Sequence, residues 1–245
     1  MAKILSDVRT ATRAILDETT AADWSNAELN TLINQRYHRV YTTVINVYED
    51  YYLTTDTFNS VADQQEYSSA HGVNSDIYKI RRVELNFNVS NANSAPTRCM
   101  PIKDTDAVLR DLGQQNIGVQ IFSHAYYYTF GHGSSFTIGF IPIPDRTGTN
   151  AIRMWYITQI SDMSSDSTNL NIPYADRYFY IIAEGAAADA LRFGQQDSAE
   201  ADKLDIKFDK GLLLMQQELE DYTAEGTRHV LDISGEYIDF EQTSY

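Results

Sequence analysis

The stretch Gly131-His132-Gly133-Ser134-Ser135-Phe136 places a serine two residues from a histidine, with glycines around both. In such company a hydroxyl could serve as an acyl-transfer nucleophile, with imidazole taking its proton. The spacing is not Gly-x-Ser-x-Gly. The following Phe-Thr-Ile-Gly-Phe-Ile-Pro-Ile-Pro reads as a strand, not as the helix of a nucleophile elbow. Glycine and serine also supply turn chemistry, so the stretch reads more simply as a hairpin turn. The five histidines stand at 38, 71, 124, 132 and 229. His124 and His132 could meet across that hairpin, but no Cys or paired carboxylate joins them at a metal-ligand spacing. Asp104 and Asp106 fit a helix start, where carboxylates meet unsatisfied amides. The chain lacks a phosphate-binding Gly-x-x-x-x-Gly-Lys loop, a Gly-x-Gly-x-x-Gly fingerprint and a His-Glu-x-x-His pair. The expectation is no catalytic set, no metal and no cofactor.

Two clusters suit binding rather than catalysis. Tyr126, Tyr127 and Tyr128 could stack on bases or sugars, with Tyr126 and Tyr128 on one strand face and Tyr127 on the other. Lys79, Arg81 and Arg82 form the one basic cluster. Acidic neighbours make it a salt-bridged sheet edge or subunit contact rather than a DNA site. The net charge is −15, unevenly spread: residues 1–50 carry −2, residues 51–160 carry −1 and residues 161–245 carry −12. Binding to phosphates needs clustered Lys and Arg, so this balance argues against it. An acidic surface can still work beside DNA by repelling it. Asp202, Asp205, Asp209, Glu218, Glu220 and Asp221 read as a solvated acidic helix face.

The elements that must position these groups fall into three blocks. Residues 1–50 are helical. Ile4, Val8, Ala11 and Ile15 recur at helical spacing, with Leu5 beside them. A second helix starts at Ser25, with the stripe Leu29, Leu32, Ile33, Tyr37, Val40, Tyr41, Val44, Ile45 and Tyr48. Ser25 and Glu28 have the spacing of a capping box, and Trp24 stands where a hydrophobic staple would close the turn. The short polar link predicts an antiparallel pair. Residues 51–171 are a β-rich insert, with strands in YYLTTDTFNSV, IYKIRRVELNFNV, VQIFSHAYYYTF, SFTIGFIPIP and AIRMWYITQI. GHGSSF and PDRTGTN read as hairpin turns, and DTDAVLRDLG as a short helix from Asp104 to Gly113. Residues 172–226 are again helical: one helix has Pro173 in its first turn and stops at Gly194, and a second is capped by Asp197 and Glu200. Ala201, Leu204, Phe208, Leu212, Met215, Leu219 and Tyr222 form the second helix's stripe. The fold class is α+β: a bundle from the N- and C-terminal helix pairs, with the β-rich insert projecting from it.

Residues 227–245 form an extended acidic tail carrying Val230, Leu231, Ile233, Tyr237, Ile238, Phe240 and Tyr245. Apolar residues without a core of their own predict a partner, for example by strand addition. Cys99 is the one cysteine, so no intrachain disulfide forms, which fits a reducing compartment. No apolar run approaches the roughly 18 residues of a membrane span, and the first residues lack the apolar core of a signal peptide.

DWSNAELNTLINQRYHRVY resembles the N-terminal helix motif of bacteriophage head-to-tail adaptor proteins, Trp-Ser/Thr-x-x-Glu-Leu-x-x-x-Ile-Asn. Trp24, Ser25, Glu28, Leu29, Ile33 and Asn34 fill it. QQEYSSAHGVNSDIYKIRRVEL is similar to the family's Glu-Tyr, loop and strand, although Ser68-Ser69 stands where Leu-Pro is usual. FTIGFIPIPDRTGTNAIRMWYI and the segment from Ile172 to Leu212 look like the later strands and the C-terminal helix pair. The resemblance implies a non-enzymatic virion protein of the neck or tail, assembled in the host cytoplasm. It implies a homo-oligomeric ring, usually twelve-fold, beneath the portal protein and above tail or nozzle proteins, with DNA passing through without specific binding. The tail would reach the portal or a neighbouring subunit, and Asn34, polar beside an apolar stripe, is expected to hold the chain against the bundle or a neighbour. A receptor- or glycan-binding tail module using the Tyr-rich block, and a serine hydrolase around Ser134, are the alternatives from other classes.

Overall fold

The computed structural model describes residues 2–18, 23–86, 96–102, 125–195 and 198–223. The expected helix 104–113, the cap at Asp197, His124, His229, and the tail 227–245 with Val230, Leu231, Ile233, Tyr237, Ile238, Phe240 and Tyr245 lie outside these residues. The chain divides into two compact units. One holds Met1–Tyr48 and Asp162–Tyr245, the other Glu49–Ser161.

The first unit is helical: α1 (Leu5–Ile15), α2 (Asn26–Val47), α3 (Ala175–Ala190) and α4 (Ser198–Thr223). α1 and α2 run antiparallel, since Arg9 donates to Asn30 Oδ1 (3.2 Å) and Arg13 to Asn26 Oδ1 (2.9 Å). The buried face of α1 is Leu5, Val8, Arg9 and Thr12. It is rotated from the expected Ile4–Val8–Ala11–Ile15 stripe because Arg9 turns inward to Asp166 at 2.8 Å and Thr12 satisfies its own hydroxyl on the Val8 carbonyl. In α2, Leu29, Leu32, Ile33, Tyr37, Val40, Tyr41 and Val44 are buried, at helical spacing.

α3 packs against the other three helices, and its run of small residues lets them approach. Pro173 lies outside α3, not in its first turn. Tyr174 occupies the N-cap in the left-handed region (φ 49°), and its carbonyl accepts the Arg177 and Tyr178 N–H groups. A π-turn, Leu191–Gln195, ends α3. Ala201, Leu204, Phe208, Leu212, Met215 and Leu219 are the buried stripe of α4, each large one worth about 1.5–3 kcal/mol of transfer free energy.

The segment 162–171 joins this helical unit rather than the strands. Its backbone takes up side-chain and main-chain partners from α1, α2 and the residues before them, including a β-bridge between Ile4 and Asn169.

The second unit is a seven-stranded curled sheet: β1 (Leu53–Ser60), β2 (Glu66–Tyr67), β3 (Ile77–Leu85), β4 (Thr97–Pro101), β5 (Ala125–Phe130), β6 (Thr137–Ile141) and β7 (Gly148–Thr158), in the order β1-β7-β3-β4-β5-β6-β2. The pairings are antiparallel except β4 with β5. β5 and β6 form a hairpin through GHGSSF. PDRTGTN is not a second hairpin: β6 pairs with β5 and β2, while β7 pairs with β1 and β3. The segment instead runs beside residues 60–63, where the Ser60 hydroxyl donates to the Arg146 carbonyl and the Asp63 N–H to the Pro144 carbonyl. The curl brings Phe58 of β1 against Tyr67 of β2, and Tyr67 against Phe140 of β6, with ring centroids 5.8 and 5.7 Å apart. These rings share one core with Val83, Leu85, Ile138, Ile152, Met154 and Tyr156.

Candidate assembly site

The start of α2 is built by hydrogen bonds. The Glu28 N–H donates to Ser25 Oγ (3.2 Å), and the Ser25 N–H donates to Glu28 Oε2 (2.9 Å). The Ser25 hydroxyl also reaches that carboxylate, which holds the Glu28 carboxyl below its usual range. Behind the cap lies the buried carboxylate of Glu18. It accepts the Asp23 and Trp24 N–H groups (2.8 and 3.0 Å) and pairs with Arg13 at 2.7 Å. Arg13 also donates to the Trp24 carbonyl. The Trp24 indole lies over Gly194 in the π-turn; a Cβ there would come within 2.6 Å of the ring. The tryptophan thus clasps the α1–α2 link to the end of α3, a larger task than a staple within one turn.

Leu29 and Ile33 are fully buried. Asn34 is buried beside them, and its amide pairs with both backbone groups of one residue, as a strand neighbour would. Its Nδ2–H donates to the Met163 carbonyl (3.2 Å) and its Oδ1 accepts the Met163 N–H (2.9 Å).

One turn further, Arg36 crosses the interior. Its guanidinium grips Asp189 of α3 in bidentate fashion, at 2.6 and 2.5 Å, and lies 2.9 Å from Asp205 of α4. It stacks over the Phe208 ring at 4.9 Å. Gly185 makes room for it: a Cβ would meet Arg36 Cδ and Phe208 Cδ2 at 2.9 Å. The Asp189 hydrogen bonds push the guanidinium pKa further up against the opposing effect of burial. Arg192 also pairs with Asp205, and with Asp202 at 2.8 Å. Arg39 pairs with Asp209 at 2.9 Å and Arg177 with Glu218 at 2.9 Å. The acidic face of α4 is solvated, as expected: Asp202 and Asp209 are exposed and pair with arginines at the surface, Glu218 is half-buried, and Asp205 alone turns inward to the buried Arg36. Arg36 and Asp189 stand 153 residues apart in sequence, outside any local motif. Their signal was a lone arginine on an apolar stripe and a lone aspartate in an alanine run.

What α4 presents outward includes apolar surface. Ile206, Leu213 and Leu214 are each more than half exposed, on the side away from the Phe208 stripe.

In the strand unit, Lys79 and Arg81 share Glu49 (2.6 and 2.7 Å), and Arg82 pairs with Glu84 and stacks on Trp155. Tyr127 is buried in the core, while Tyr126 and Tyr128 are half-buried. Tyr128 donates to Glu66 at 3.1 Å and stacks on Phe130. His132 and Ser134 lie on an exposed turn, and no hydrogen bond joins them among the described residues. No group of three metal-ligating side chains occurs among the described residues, and no helix there is long and apolar enough to cross a membrane.

A model of the family described as SU10 adaptor protein matches residues 4–229. No curated protein matches the chain.

Proposed function

As the chain belongs to the SU10 adaptor protein family, and so to the bacteriophage head-to-tail adaptors, we propose that it forms a ring beneath the portal, joins the portal to the tail and continues the DNA channel. The observation that carries this reading is the family match across nearly the whole chain, from α1 through the C-terminal helix pair. Twelve subunits closing by heterologous contacts, one face of each meeting a different face of the next, would form the ring. The exposed Ile206, Leu213 and Leu214 of α4 are candidates for one such face.

The docking residues in this reading are Val230, Leu231, Ile233, Tyr237, Ile238, Phe240 and Tyr245. Residues 227–245 dock on the portal or a neighbouring copy by burying those side chains. The motif residues Trp24, Ser25, Glu28, Leu29, Ile33 and Asn34 act from within, by fixing the helices that carry the contact faces. A chain ending at Gly226 should keep its circular dichroism spectrum and melting temperature and lose portal binding in a pull-down. Unchanged affinity for the portal would overturn the role given to the tail.

A further inference from the structure

β2 is a strand of two residues, paired with Ile138 and Gly139 of β6. Its Tyr67 is fully buried, with the ring against Phe58 and Phe140, and its hydroxyl accepts the Val61 N–H at 3.0 Å. So short a strand depends on what pins its ends.

The turn that follows is pinned by one imidazole. The Ser68 carbonyl accepts the His71 and Val73 N–H groups (2.9 and 3.3 Å), and Gly72 sits in the left-handed region (φ 88°). His71 reaches back across this turn. Its Nδ1 accepts the Ser68 N–H at 3.1 Å, as the Glu28 carboxylate accepts the Ser25 N–H at the start of α2. Its Nε2 lies 2.6 Å from the Gln64 amide nitrogen, which also donates to the Glu66 carbonyl at 2.9 Å. The ring stands edge-on to Tyr67, with centroids 5.7 Å apart.

The two back-reaching groups differ in one respect. A carboxylate accepts at any pH above its acid range, whereas an imidazole accepts only through an unprotonated nitrogen. Both ring nitrogens of His71 face N–H donors. The neutral ring can serve the Ser68 N–H. The imidazolium carries a proton on each nitrogen and can serve no donor. Ser68 Oγ, 3.5 Å from Nδ1, would have to approach before it could accept that proton. The ionisable groups of this loop and of the strands beside it are Asp63, Glu66, Tyr67 and Asp76, with Asp56 of β1 and Tyr126, Tyr127 and Tyr128 of β5. Glu66 accepts from the Tyr128 hydroxyl at 3.1 Å and Asp56 from the Asn74 amide at 3.0 Å. Among the described residues, none of these carboxylates pairs with the imidazole.

We propose that His71 is an acid-sensitive latch on the turn behind β2: the neutral ring holds Ser68 and closes the turn, and protonation of the ring releases Ser68 and opens it. A free imidazole takes its proton at about pH 6.5. Closure is therefore present above that region and is withdrawn as pH falls through it, while ordinary carboxylates are still ionised.

Hydrogen exchange of single amides in the full-length chain, read by NMR and corrected for intrinsic rate, tests the latch. Between pH 7.5 and pH 5.5 the Ser68 amide should lose protection about tenfold, the equivalent of one hydrogen bond, and the Val73 amide should follow. The Ile152 and Met154 amides of β7 should not change over that interval. His71→Asn puts a carbonyl oxygen that does not titrate where Nδ1 stands, so it should keep the Ser68 amide protected at both pH values. His71→Ala should leave that amide unprotected at both. Constant protection of Ser68 in the native chain while the His71 ring resonances titrate would overturn the latch. Equal losses at Ser68 and in β7 would overturn it too, since the whole sheet would then be loosening. So would a His71→Asn chain that loses protection as the native chain does, because the titrating group would lie elsewhere. The native chain alone gives the first two of these results, so a substitution that unfolds the protein leaves the latch open to test.

Discussion

The two units place their cations differently. In the helical unit Arg9, Arg13, Arg36, Arg39, Arg177 and Arg192 each reach a carboxylate within 2.9 Å, and several of these pairs run between different helices. In the strand unit the core is built from aromatic and aliphatic side chains. Its cations Lys79, Arg81 and Arg82 lie at the surface of β3 and pair with Glu49 and Glu84. Helices with small side chains at their contacts, such as Gly185 and its alanines, leave space that a long arginine can cross. In the sheet Glu84 is the one charged side chain buried among the described residues, and the cations stay exposed, with Arg82 and Arg153 covering Trp155. The negative surplus of residues 161–245 is partly countered by the arginines of the helical unit, but Asp202 and Asp209 remain exposed beside them. Its weight beside DNA would fall on carboxylates such as Glu220 and Asp221 and on those beyond α4.

The strongest way to break this contrast is Arg36→Ala. It would leave the Asp189 carboxylate facing Asp205 in the interior without its cation. Breaking a buried pair from one side costs about 3–5 kcal/mol. Urea unfolding followed by amide exchange should show the α2, α3 and α4 amides losing protection, with those of β3 and β7 nearly unchanged. Arg36→Met with Asp189→Leu should recover most of the loss, since an apolar replacement of the pair removes the orphaned charge. A single Arg36→Ala that costs under about 1 kcal/mol would show that the internal pairs are not what holds the helices.

A second substitution isolates a neutral contact in the same unit. Asn34→Ala removes both partners of the Met163 peptide and leaves a buried N–H and C=O unmatched. The expected cost is about 2–3 kcal/mol. Asn34→Asp should retain the bond from the Met163 N–H and lose the bond to its carbonyl, so its melting temperature should fall between those of the native chain and the alanine variant.

Local signals were legible where the physics is local. The Ser25–Glu28 box, the α2 stripe and the GHGSSF turn depend on residues within a few positions of one another, and the structure builds them as their spacing dictates. Partners distant in sequence were not legible. Nothing near Arg36 announces Asp189, which lies 153 residues on. α1 shows the same limit: Arg9 would count as polar and outward by composition, yet Asp166 draws it in and rotates the buried face. The turn after β6 failed for a related reason. PDRTGTN has hairpin residues, but strand order is decided by which edges remain open, and β7 closes on β1 and β3. Pro101 was legible in principle as an edge-strand residue. Only the register beside it shows that the ladder of β4 with β3 has ended at Cys99 while that with β5 continues.

The mildest test of the contrast is pH, because the two units should fail at opposite ends. Tyr128 and Tyr156 of the strand unit are both pushed up to about 12, mainly by burial, with Glu66 adding to the shift at Tyr128. Tyr67 and Tyr127 move in the same direction for the same reason. An unfolded phenol ionises near 10. A folded pKa above that value contributes stability that is complete below pH 10 and is withdrawn as pH rises toward 12. In the helical unit two carboxylates run the other way, Asp166 lowered by Arg9 and Glu28 by Ser25, while burial raises Glu184. The contribution of Asp166 and Glu28 is present above the usual carboxylate range and is lost as pH falls through the depressed values. Tyr178 is raised in this unit too, so its alkaline response should be small rather than absent. Amide exchange corrected for intrinsic rate should show β5, β6 and β7 opening between pH 10 and 12 before α2 does, with the order reversed in acid. Tyr128→Phe removes one ionisable group and only an exposed hydrogen bond, so it should move the alkaline midpoint of the strand unit upward by a few tenths of a pH unit. If α2 opened first in alkali, burial of neutral phenols could not be what distinguishes the strand unit from the helices.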